Sequence, residues 1–171
     1  YTGPENIFEG PGGYIETAVR EHVSMAPLTG EREKPTGFRI MKSNVKRFPS
    51  GYPSQEFIEA TMECRMALGV PSLVEVDSIH VRTYNHGFTA LFPNPTRWRP
   101  QNRETADHSG PFVVTAALRD GIVDPGHFER GDFKDPRVLA VMDRVTVEID
   151  PECVAGYPDK LLNIVTVKLK D

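Results

Sequence analysis

The chain has 171 residues, with 20 Lys and Arg against 24 Asp and Glu, a net charge of −4 and 39% hydrophobic content. That length suits one domain burying about 70% of its extended surface without a disulfide or metal staple, and the composition argues against disorder. The mildly acidic, mixed-sign balance excludes a basic nucleic-acid platform, and no apolar run approaches the roughly 18–20 residues of a membrane-spanning helix. No positively charged leader precedes an apolar stretch, and Cys64 and Cys153 are too few for a disulfide framework. A soluble, cytoplasmic domain is expected, or a mitochondrial one in a eukaryote, with neither nucleic acid nor membrane as partner. The chain opens at Tyr1 and stops at Asp171 directly after an alternating apolar run, so it is expected to be part of a longer protein or assembly.

Residues 1–13 are rich in Gly and Pro and predict turns. A short helix follows from about Tyr14 to Val23, with Ile15, Ala18 and Val19 on one face, then a polar loop over 27–37. Phe38, Ile40 and Val45 suggest a strand from Phe38 to Phe48 that Pro49 ends. Ser54 caps the clearest helix, where Phe57, Ile58, Thr61, Cys64, Ala67 and Leu68 recur at helical spacing before Gly69. Ile79, Val81 and Thr83 alternate with His80 and Arg82 as a half-buried strand, and residues 85–104 read as mostly irregular. A helix from about His108 to Asp120 ends at Gly121. Shorter helices lie near Pro125–Arg130 and Pro136–Met142, the second capped by Asp135 with Pro136 at its first position. Val145–Ile149 and Ile164–Leu169 are the last strands. This order predicts an α+β fold, a small, mainly antiparallel sheet with helices on one face.

Chemistry concentrates in two runs. Asn44 to Gln55 places Lys46 and Arg47 before a Gly/Pro turn, then Tyr52 and Gln55 at a helix start, a combination suited to holding a carboxylate. Arg103 to Pro111 contains Asp107-His108-Ser109, whose adjacent side chains do not converge as a hydrolase triad requires. Thr105 or Asp107 is expected to cap the next helix with His108 in its first turn, and Arg103 and His108 are candidate anion contacts. Gly10-Pro11-Gly12-Gly13 lacks the preceding strand of a dinucleotide site. His22, His80, His86, His108 and His127 lack zincin spacing, so no metal and no cofactor are expected. Trp98 and Cys64 read as packing residues.

These runs resemble the MmgE/PrpD family, which includes 2-methylcitrate dehydratase, cis-aconitate decarboxylase and iminodisuccinate epimerase. The resemblance rests on Tyr1-Thr2-Gly3-Pro4, Phe8-Glu9-Gly10 and Gly13, on Lys46-Arg47-Phe48-Pro49, and on Ser54-Gln55 before Ile58-Glu59-Ala60. It continues through Glu104-Thr105-Ala106-Asp107-His108-Ser109, Ala116-Ala117-Leu118, Asp120-Gly121 and Asp135-Pro136-Arg137-Val138. It implies a large helical domain with a smaller α+β lid: residues 1–36 would be the end of the helical domain and a connecting loop, and 37–171 the lid. The active site is then a cleft between the two, with Asp and His residues from the helical domain and Lys46 from the lid. Tyr52 and Gln55 would face the same cleft. In some members a histidine stands where Gln55 stands, and Gly110 occupies a position where Leu or Phe is commoner. The lid tyrosine of the decarboxylase branch has no clear match in 85–100.

The implied activity is that of a hydro-lyase of 2-methylcitrate dehydratase type, acting on a di- or tricarboxylate without a metal. Lys46 is its catalytic residue, and Arg47, Tyr52, Gln55, Arg103 and His108 are its substrate contacts. Decarboxylase or epimerase chemistry within the family, and a non-catalytic carboxylate-binding module, are the alternatives. Expected partners are the helical domain, in cis or in trans, and a second copy in a homo-oligomer, a dimer.

Overall fold

A computed structural model describes residues 7–8, 13–21 and 39–170. The chain divides into two compact units, Tyr1–Asn44 and Val45–Asp171.

In the first unit the backbone N–H groups of Tyr14 and Ile15 donate to the carbonyls of Ile7 and Phe8 at 2.9 and 3.0 Å. The expected helix from Tyr14 to Val23 is a single π-helical turn, Ile15–Val19, closed by Arg20 in the left-handed region at φ 62°; its end and the loop over 27–37 lie outside the described residues. The expected strand from Phe38 to Phe48 is not one. Arg39–Lys42 forms a 3-10 turn, and Ile40 and Val45 are 76% and 91% exposed. Apolar residues become a strand only when a neighbouring strand takes the hydrogen bonds and a core takes the side chains, and among the described residues Ile40 and Val45 have neither.

The second unit is an α+β layer. Its sheet holds β1 (Val76–Thr83), β2 (Val145–Ile149) and β3 (Ile164–Leu169) in the order β2-β1-β3. It is mixed: β1 runs parallel to β2, with Ile79 opposite Val145, and antiparallel to β3, with Ile79 opposite Val167. Period-2 alternation puts Ile79, Val81 and Thr83 on the buried face. The other face carries His80 against Thr146 and Glu148, and Arg82 paired with Asp150 at 2.8 Å.

Two longer helices position the site. Helix α1 (Gln55–Ala67) follows a 3-10 turn at Tyr52–Ser54 and buries Phe57, Ile58 and Thr61. Residues 85–104, expected to be mostly irregular, instead hold or begin three short helices: α2 (Asn85–Leu91), α3 (Pro95–Trp98) and α4 (Arg103–Ala106). Asn94 and Asn102 cap the latter two through their side chains, satisfying donors that so short a helix leaves open. Helix α5 (Gly110–Asp120) is buried over nearly its whole length and ends at Gly121 with φ 70°. Its cap is Ser109, which accepts from the Phe112 N–H at 3.1 Å, rather than Thr105 or Asp107, so His108 sits just outside the helix instead of in its first turn. Next come α6 (Pro125–Glu129) and α7 (Pro136–Met142), capped by Asp124 and Asp135, and α8 (Pro151–Gly156), capped by Asp150.

The core has two parts. Phe57, Ile79, Val81, Phe92, Val114 and Leu118 join helices to sheet; Phe48, Ile58, Phe112, Phe128 and Phe133 fill the space beneath α5 and α6. Each such side chain contributes about 1.5–3 kcal/mol of burial. No helix among the described residues is long and apolar enough to cross a membrane.

Candidate functional site

The site is built on the turn that feeds α1. Phe48 is anchored in the core, and from it the chain rises through Pro49-Ser50-Gly51 before the 3-10 turn. Gln55 clips that rise. Its amide oxygen accepts from the Phe48 N–H at 2.9 Å, and its amide nitrogen donates to the carbonyls of Phe48 and Gly51 at 3.2 and 3.5 Å. Ser54 Oγ lies 2.6 Å from the Gly51 carbonyl and 2.7 Å from Ser50 Oγ.

The same turn is stapled to the segment before α5. Ser50 Oγ and the Gly51 N–H both donate to the Asp107 carbonyl, at 2.6 and 2.9 Å. The His108 ring therefore lies against Gly51, where an added Cβ would stand only 3.2 Å from His108 Cδ2. His108 Nδ1 bonds the Asp107 carboxylate. An ionised carboxylate only accepts, so Nδ1 carries a proton, and in the neutral ring Nε2 is the acceptor; the ring is 45% exposed. Lys46, itself exposed, donates from Nζ to the Ser50 carbonyl at 2.9 Å. That oxygen positions the ammonium without neutralising it.

Of the six residues named from the sequence, Lys46, Gln55 and His108 thus meet around one turn, and Tyr52, 40% exposed, stands on it. Arg47 goes elsewhere: its guanidinium pairs with Glu59 on the outside of α1 at 2.9 Å and lies over the Phe48 ring. Arg103 is exposed in the first turn of α4, one turn before Asp107. Sequence reasoning missed Asp107 as the partner that fixes the His108 tautomer. Their adjacency was visible, but the backbone turn that aligns vicinal side chains was not. Ser109 is wholly buried, with its hydroxyl on the Arg97 carbonyl, and takes no part in a triad.

Behind the turn lies a group of titratable residues. Tyr84 is buried and stacks on Tyr157 with ring centroids 4.9 Å apart. Burial, with Glu56, Tyr157 and Tyr52 nearby, pushes its phenol up to about 12, so it stays protonated. Burial also raises the Glu56 carboxyl above its ordinary value, and Glu56 Oε2 is shielded without a hydrogen-bond partner.

Asp120, His127 and Asp132 bring potential ligand atoms within 4.8 Å of one another. Their lone pairs are already committed. His127 Nε2 and Nδ1 lie 2.8 Å from Asp120 and Asp124 oxygens. Arg119 bonds both Asp120 and Asp132, and Arg130 bonds Asp132. Burial opposes ionisation of Asp132, but Arg130 and Arg119 together hold it below the usual carboxylate range. This is an ion-pair network that ties α5 to α6.

Fold and turn together define an α+β domain that presents a lysine holding no carboxylate among the described residues and an Asp-held histidine around one clipped loop. Its family follows from comparison with known proteins. Residues 48–171 match the MmgE/PrpD C-terminal domain, and the chain belongs to that family. A 2-methylcitrate dehydratase of Cupriavidus necator is 25% identical over 147 residues, covering 81% of this chain. The chain spans 30% of the length of that relative.

Proposed function

We propose that this chain is the lid portion of a hydro-lyase that removes water from a di- or tricarboxylate of the 2-methylcitrate kind, with Lys46 as its catalytic residue. Family membership supports the class, and one observation carries the site: the turn bearing Lys46 is stapled through the Asp107 carbonyl to the residue beside His108.

Elimination next to a carboxylate takes a proton from the carbon α to it and loads negative charge onto the carboxylate oxygens. The departing hydroxyl leaves with a proton as water. A fixed ammonium beside those oxygens stabilises the charge as it develops. Lys46 is suited to this because its carbonyl partner orients it and takes only one of its three N–H bonds. His108, with the proton held on Nδ1, offers Nε2 for proton transfer or for a substrate carboxyl. Tyr52 stands on the same turn as a further contact. Arg47 and Arg103, turned to Glu59 and exposed on α4, are peripheral to this reading. The remaining acid and base would come from a helical domain, in cis or in trans, and closure of the lid would exclude water. A homodimer in the cytoplasm or mitochondrial matrix belongs to the same proposal.

The test is Lys46→Ala in the complete enzyme assayed on 2-methylcitrate. Turnover should fall by about 100-fold or more, the scale of losing one fixed electrostatic contact, with melting temperature unchanged. Near-normal turnover removes Lys46 from the chemistry. Release of CO2, or inversion without loss of water, reassigns the protein to decarboxylase or epimerase chemistry.

A further inference from the structure

A second concentration of positive charge lies at the opposite end of α1 from the clipped turn, about 18 Å away along the thirteen-residue helix. There a cavity of about 730 Å³ is lined by Arg65, Arg119, Arg137, Arg144 and Lys170, with Asp135 as its one carboxylate among the described residues. Two of these cations are neutralised. Arg119 bonds Asp120 and Asp132, and Arg137 bonds Asp135 at 2.9 Å.

The other three hold no carboxylate among the described residues. Arg65 donates to the Arg119 carbonyl at 3.2 Å, Arg144 to the Val76 carbonyl at 2.6 Å, and Lys170 to the Val74 carbonyl at 2.6 Å. Backbone carbonyls orient a cation without cancelling its charge. Arg65 also lies against Gly121, and its Nε is shielded with no acceptor. The last turn of α1, the start of β2 and the end of β3 therefore deliver to one cavity three charges that no carboxylate among the described residues compensates, in a chain whose net charge is −4. Leu73 and Val141 add apolar wall, suited to the carbon skeleton of an organic acid.

We infer that this cavity is a second binding site, separate from the Lys46 turn, for a multivalent oxyanion held by Arg65, Arg144 and Lys170. A trivalent ligand balances the three charges, and guanidinium groups pair with carboxylate or phosphate through parallel N–H bonds. The inference is independent of the dehydratase reading, because none of these residues belongs to the Lys46 turn.

Isothermal titration of the full-length protein with citrate, and separately with inorganic phosphate, tests it. Citrate should bind the Lys46→Ala variant with wild-type affinity at this site. Arg144→Gln should weaken it at least tenfold, and Lys170→Gln, an exposed change that leaves the fold alone, about threefold or more. Raising the salt concentration should weaken it further. Tighter binding of citrate identifies an organic polycarboxylate as the ligand, and tighter binding of phosphate a phosphate group. If citrate and phosphate both fail to bind, or binding disappears in Lys46→Ala and survives in Arg144→Gln and Lys170→Gln, the second site does not exist.

Discussion

Replacing Gln55 with Met tests whether its side chain shapes the turn that bears Lys46. Met matches the length of Gln and keeps its helix propensity but supplies neither a strong donor nor a strong acceptor. The Phe48 N–H, bonded at 2.9 Å on a residue only 4% exposed, would lose its partner, and the Phe48 carbonyl would lose a weaker one at 3.2 Å. An unpaired buried donor costs about 1–3 kcal/mol. With the second bond half-made, we expect about 2 kcal/mol, a fall in melting temperature of roughly 4–8 °C for a protein of this size. Hydrogen exchange reads the local effect: the Phe48 amide should exchange about 30-fold faster if the whole cost falls on opening this turn. Because the Ser50 carbonyl orients Lys46, turnover in the complete enzyme should fall by about 10–100-fold. Gln55→Glu separates the contributions, since its carboxylate can accept from the Phe48 N–H but faces two carbonyls it cannot donate to. Its stability should lie between wild type and Gln55→Met. Unchanged Phe48 exchange in Gln55→Met would refute the reasoning and leave the turn to Ser50, Ser54 and Asp107.

Gly110→Ala should cost about 1–2 kcal/mol by denaturant unfolding, because its Cβ would come within 2.4–2.8 Å of three Phe92 ring atoms. In a Phe92→Leu background the same change should be close to neutral, and equal costs in both backgrounds would exclude the clash. Gly51→Ala should push on His108 Cδ2, 3.2 Å from the new carbon, and lower turnover of the complete enzyme about tenfold, while the melting temperature moves by less than ~2 °C. Glu56→Gln should raise the melting temperature at pH 8 by roughly 1–2 °C, a figure kept small because the group is half exposed. Burial raises the Glu56 carboxyl in the folded state, so its destabilising contribution is absent below the ordinary carboxyl value and complete above the raised one. The gain should therefore vanish near pH 4, and a gain that persists there would point to packing rather than charge.

The elements that were legible in the sequence are those that carry their own punctuation. The strands β1, β2 and β3 show period-2 alternation, α1 and α5 show helical spacing closed by Gly69 and Gly121, and α7 opens on Asp135-Pro136. The short helices α2, α3 and α4 were hidden because their Pro, Gly and Asn residues also mark irregular chain. Asn94 and Asn102 act as caps only once the backbone folds over them. The false strand before Phe48 shows the converse, since the apolar Ile40 and Val45 met no sheet and no core among the described residues.

Residue types pointed to a candidate site, but not to how its turn is held together. Lys46 and Gln55 stood out through family resemblance and a cation-rich turn. The role of Gln55 as a clip depends on two backbone groups seven residues upstream, and the staple to Asp107 spans 57 residues. No local spacing encodes either. The same holds for Gly110. The resemblance puts Leu or Phe more commonly at this position. The structure places the Phe92 ring in the volume that a side chain there would fill, with Trp98 tilted against it at 6.3 Å. The loss at Gly110 is offset by an aromatic from α2's end, so the start of α5 stays packed and Asp107 and His108 keep their place against Gly51. Substitution at one position of this site is therefore interpretable only with the ring that replaces it.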